Sequence, residues 1–120
     1  VALARRDVPG KEGKSFVPQD GLVGRVNEML TTIQEAMHKK ALAFREANTY
    51  TTDNYEQFKE LVEKGFVLSY WCASGECEAK IKEQTKATTR CIPMDQAKSE
   101  GVCIRCGQPA TEKVIFAKAY

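Results

Sequence analysis

The sequence predicts an α/β protein: a long N-terminal helix, then a small α/β domain with a roughly three-stranded sheet. Three observations carry this. Apolar residues recur at three- and four-residue steps from about Asp20 to Ala47, which is the helical period. Three β-rich runs, FVLSYW, TTRCIPM and KVIFAK, follow in the second half, the first two separated by a helix-type segment. Four cysteines stand as two close pairs between the runs, Cys72 with Cys77 and Cys103 with Cys106.

Length and composition bound the answer. The 120 residues suit one domain, or one small domain with an appendage, and 42% hydrophobic with 28% charged residues is ordinary for a globular chain. No apolar run approaches the ~20 residues of a membrane span, and none resembles a signal peptide. The formal charge is only +2 and is spread evenly along the chain, so charge does not announce a nucleic-acid binder. A start at Val-Ala-Leu-Ala without Met reads as part of something longer.

Taken in order, VALARR and SFVP read as two short strands joined by the loop around Asp7-Val8-Pro9-Gly10. So short a pair buries little and is expected to complete a sheet whose other strands lie elsewhere. Arg5 and Arg6 there are candidate RNA-phosphate contacts, although solvated charges are the favoured reading. In the long helix Leu22, Val26, Met29, Ile33, Met37, Ala41 and Phe44 form one face, expected to be core, with Pro18 and Asp20 as start signals. His38, the only histidine, falls beside this face without a partner at useful spacing, so it reads as solvated. Asp53 and Glu56 suggest a capping box for a second helix bearing Tyr55, Phe58, Leu61 and Val62, which Gly65 stops. Ser74 is the expected N-cap of a third helix through GECEAKIKEQT, with Cys77 in its first turn.

The cysteine spacing is the most specific signal. Four residues lie inside the first pair, two inside the second and twenty-five between the pairs, so two short hooks return to one point. Zn²⁺ favours four soft donors in a tetrahedron, and a spacer of about two to four residues lets both sulfurs of a hook face inward. Gly107, directly after Cys106, suits the positive φ that turns N–H groups toward the sulfurs. Trp71 is placed to shield the metal. A disulfide framework is the poorer reading for five cysteines with no signal peptide. A thioredoxin-like pair would open a helix, whereas Cys103 to Cys106 lies among Gly101, Gly107 and Pro109. Unrelated buried thiols would not pair in this way. Cys91, between the hooks, is expected to be a core thiol behaving as a small hydrophobe. The expected architecture is a long helix followed by a small zinc-stapled α/β domain.

WC-x4-C, EAKIKEQTKATTRCIP, GVCIRCG and the ending FAKAY together closely resemble the C-terminal region of prolyl-tRNA synthetase of the archaeal/eukaryotic type, over essentially the whole chain. ARRD resembles the end of that family's anticodon-binding domain, and the helix with IQEAM and KALAFRE resembles its connector. The resemblance implies residues 1–18 as the end of the anticodon-binding domain, 19–50 as a connecting helix and 51–120 as a C-terminal zinc-binding α/β domain. It implies Cys72, Cys77, Cys103 and Cys106 as zinc ligands and Cys91 as a non-ligand. Tyr120 would match the terminal tyrosine whose carboxylate packs toward the active-site cleft, with Lys118 at the same interface. It further implies a parent class II aminoacyl-tRNA synthetase. This is a cytoplasmic homodimer that uses ATP and magnesium to activate proline and then charges tRNA(Pro). The catalytic motifs of that enzyme are absent from these 120 residues, so this chain alone should be inactive.

Two functional classes follow. One is a structural zinc domain that braces the synthetase. The other is a tRNA-contacting module, without catalysis of its own, using Arg5, Arg6, Lys39, Lys40 and Arg45; the near-neutral charge speaks against it.

Overall fold

In the computed structural model, which describes residues 1–119, the first strands form a hairpin as expected. β1 (Ala2–Ala4) pairs antiparallel with β2 (Lys14–Phe16), with Leu3 opposite Ser15. Helix α1 follows over Leu22–Ala47. It starts after Gly21, whose φ of 68° breaks the helical run that Pro18 and Asp20 seemed to open. Chain contacts divide the protein into Val1–Glu46 and a second unit from Ala47 onward.

The apolar face of α1 is not a core. None of its residues is buried, and Met37 and Phe44 are 61% and 67% exposed; Val23 and Leu30, beside that face, are exposed too. The hairpin of three-residue strands in the same unit offers too little surface to cover it.

The second unit is built on a four-stranded sheet in the order β3-β4-β8-β5. Its strands are β3 (Thr49–Thr51), β4 (Phe66–Tyr70), β5 (Ala87–Cys91) and β8 (Lys113–Lys118). Three strands were expected. The extra one is Thr49-Tyr50-Thr51, which pairs parallel with β4, Tyr50 lying opposite Val67. Helix α2 (Tyr55–Leu61) is the crossover between them, and α3 (Gly75–Thr85) leads from β4 toward β5. β8 runs antiparallel to both neighbours, so β4 and β5 are themselves parallel. Both crossovers step the same way along the sheet, which for right-handed connections places both helices on one face. Accordingly Phe58 from α2 and Val62 at its C-terminal cap, Ile81 from α3, and Val67, Val114 and Phe116 from the sheet share one core.

Local chemistry explains the helix ends. Asn54, not Asp53, caps α2: its side-chain oxygen accepts from the Gln57 N–H at 3.0 Å. Ser74 caps α3 as expected. Gly65 is needed for closeness rather than for helix termination. A Cβ there would lie 2.3 Å from the carbonyl oxygen of Asn48, the same oxygen that accepts from the Phe66 N–H to start the β3–β4 ladder. Gly65→Ala is therefore expected to destabilise the second unit by about 1–3 kcal/mol, read as a lowered thermal unfolding midpoint.

Beyond the sheet, β6 (Gly101–Val102) and β7 (Pro109–Ala110) form a two-stranded ladder, Val102 opposite Pro109. Gly101 lies flat against a ring: a Cβ there would stand 2.3 Å from Tyr70. Where β5 stops short, the Gln96 amide takes its place on β8, donating to the Lys113 carbonyl at 2.8 Å and accepting from its N–H at 3.0 Å.

Candidate metal centre

The first hook is the exit of a buried strand. β4 ends at Tyr70, and within four residues Ser74 has opened α3. The chain makes so sharp a change because Ala73 adopts a left-handed φ of 57°, which costs about 1–2 kcal/mol and persists because both flanks are fixed. Ser74 accepts from the Cys77 N–H at 3.4 Å, placing Cys77 in the first turn, where the positive end of the helix favours a thiolate.

The second hook is held by the β6–β7 ladder and by backbone bonds within it. Cys103 N–H donates to Gln108 O at 2.8 Å and Gly107 N–H donates to Cys103 O at 3.0 Å. Gly107 takes the expected positive φ, 69°. Ile104 N–H donates to Tyr70 O at 2.9 Å and so ties this hook to the strand that carries the first.

The four sulfurs converge. All lie within 4.8 Å of one another, with Cys77 to Cys103 at 3.6 Å and Cys72 to Cys106 at 3.5 Å. Both of these contacts run across the hooks. A tetrahedron with Zn–S bonds of about 2.3 Å has sulfur–sulfur edges of about 3.8 Å, so the donor set fits a zinc ion in number, chemistry and spacing. No pair approaches the disulfide bond length of about 2.05 Å. Cys77 and Cys103 are buried, Cys72 is half-buried and Cys106 is exposed, so the site opens to solvent on one side.

Proton affinities diverge within the cluster. Burial pushes the Cys77 thiol far up, and the neighbouring sulfurs of Cys103 and Cys106 add to this. Cys72 is raised by the same causes, burial first. Burial also opposes ionisation of Cys103, but backbone N–H groups at Cys106, Arg105 and Cys72 outweigh it and bring its pKa down to about 7. Four thiolates packed this closely repel one another, and a divalent cation at their centre removes that repulsion.

The remaining residues singled out by sequence are placed as follows. Cys91 is exposed, contrary to the expected core position. A register shift between Thr89 and Cys91 bends the end of this edge strand and turns the thiol away from the core. Trp71 is half-buried against the core, and its Nε1 is buried without a hydrogen-bond partner among the described residues. Arg5 is engaged by Asp7, with Nη2–Oδ2 at 2.6 Å and Nε–Oδ1 at 3.0 Å, while Arg6 is exposed. Lys39, Lys40 and Arg45 lie on α1, Arg45 in its last turn. Tyr120 lies outside the described residues.

Sequence reasoning overlooked the charged wall beside the thiols. A cleft of about 190 Å³ opens next to the cluster and is lined by Lys80, Arg105 and Glu76 together with Cys72, Cys77 and Cys106. The available signal was a basic residue inside the spacer of a cysteine hook, Cys103-Ile104-Arg105-Cys106.

Comparison with known proteins agrees with the family resemblance of the sequence. Residues 55–120 match the family model described as "Prolyl-tRNA synthetase, C-terminal". Over its full length the chain is 52% identical to a proline–tRNA ligase of Roseiflexus castenholzii, 50% to one of Chloroflexus aurantiacus and 48% to one of Cytophaga hutchinsonii. It spans about a quarter of the length of these relatives, 25%, 25% and 24% respectively. A family match over more than half the chain and identity near one residue in two throughout lead to one conclusion: the chain belongs to the prolyl-tRNA synthetase family and corresponds to its C-terminal region.

Proposed function

We propose that the unit from Ala47 onward is a structural zinc domain bracing a proline–tRNA ligase. Cys72, Cys77, Cys103 and Cys106 are its ligands. The observation that carries this reading is the convergence of four sulfurs from two distant hooks, all within 4.8 Å of one another. When bound, zinc supplies a cross-link, since four protein thiolates complete its tetrahedron and leave no open position for a reacting water. The residues do the rest: Ser74 fixes the helix turn bearing Cys77, and Gly107 closes the turn after Cys106. In the parent enzyme, ATP and magnesium serve proline activation, and tRNA(Pro) is met through the whole molecule, a cytoplasmic homodimer. No helix among the described residues is long and apolar enough to cross a membrane. The exposed Val23, Leu30 and Met37 of α1 are then the face against which the rest of that larger chain packs.

Elemental analysis of the purified chain tests the metal assignment. One zinc per chain is expected, and a chain that retains none after purification without chelators overturns it.

A further inference from the structure

A zinc ion with four thiolates is doubly negative, and burying such a centre is costly unless cationic groups or N–H donors surround it. Arg105 meets this need in three ways. It sits between two of the ligands, Cys103 and Cys106, and lines the cleft beside Cys72, Cys77 and Cys106. Its guanidinium carbon lies 5.9 Å from the centroid of the Tyr55 ring, and the Tyr55 hydroxyl is in turn held by Gln84 Oε1 at 2.7 Å, so the charge is kept in place. Its Nε–H is buried and makes no hydrogen bond among the described residues, although a buried donor of that kind is expected to have an acceptor. Lys80 is a second cation on the cleft wall but is exposed and solvated, while Glu76 is the one carboxylate there among the described residues and opposes them.

We infer that Arg105 is a positioning residue for the metal centre, a fixed cation that offsets the charge of the tetrathiolate and slows loss of its ion. The inference rests on the zinc reading above. The test is zinc release to a chromogenic chelator from the full-length protein, wild type beside Arg105→Gln and Arg105→Lys, together with the sulfur-to-metal absorption band after cobalt substitution. Arg105→Gln is expected to weaken metal retention by about tenfold and to shift the cobalt band. Arg105→Lys, which keeps the charge, is expected to recover most of the retention. Equal release from wild type and Arg105→Gln overturns the inference while leaving zinc in place. A lysine variant as weak as the glutamine variant overturns it too, because charge is then not the cause. Wild-type protein without zinc overturns the metal reading itself, a result distinct from both.

Discussion

Cys77→Ser is expected to abolish zinc binding and, with it, cooperative unfolding of the second unit. Cys77 is 6% exposed and is held in the first turn of α3, with its sulfur 3.6 Å from Cys103 in the other hook. Serine keeps the size but is a poor zinc ligand, so the tetrahedron loses a corner that no other side chain in the cluster can fill. The magnitudes favour a large effect. A structural zinc contributes an apparent ~10–16 kcal/mol in small peptides at neutral pH, against a net ~5–15 kcal/mol for a whole domain. A core below about 70–80 residues rarely supplies more than ~3–5 kcal/mol by itself. Zinc stoichiometry and thermal melts monitored by circular dichroism read the result, with Cys91→Ser as control: that thiol is exposed and outside the cluster. One zinc per chain and an unchanged melt in Cys77→Ser would show the ligand assignment to be wrong. The sign with pH follows from the ligands' chemistry: each thiol must lose its proton to bind the metal, so protons compete with the ion and acid favours metal loss.

Phe58→Ala is expected to cost about 3–5 kcal/mol and lower the unfolding midpoint by at least about 10 °C. The ring is 0% exposed, meets Phe116 edge to face with centroids 5.2 Å apart, and stacks on Tyr55 at 5.8 Å. It joins α2 to the central strand, and the surrounding side chains are themselves packed by the sheet, so the cavity has little freedom to collapse. Phe16→Ala, at an 87% exposed position in β2, is the contrast and should change stability by less than about 0.5 kcal/mol. A midpoint for Phe58→Ala within a few degrees of wild type would mean that α2 contributes little to holding the sheet.

What was legible in the sequence was local. Ser74 caps α3, Gly107 closes the second hook and the cysteine spacers bend as their lengths require, because each depends on neighbours a few positions away. Strand β3 was missed because Thr49-Tyr50-Thr51 is too short to show a period and becomes a strand only by pairing with Phe66–Leu68. Cys91 was misplaced for a related reason. Its place inside an apolar strand suggested a core thiol, but the bulge that redirects it depends on the partner strand. The stripe on α1 reports that a face is apolar, not where its cover comes from. Gln96, acting as a surrogate strand partner for Lys113, leaves no local pattern at all.

The place of β8 in the chain has a consequence for biosynthesis. It is the last of the four sheet strands in sequence, yet it lies between β4 and β5, both made earlier. While the ribosome is still extending the chain, those two strands must wait with a gap one strand wide, about 10 Å across. The second cysteine hook lies just ahead of β8 in the chain, so the junction of the two hooks and the strand that fills the gap are completed together, as the last step of assembly.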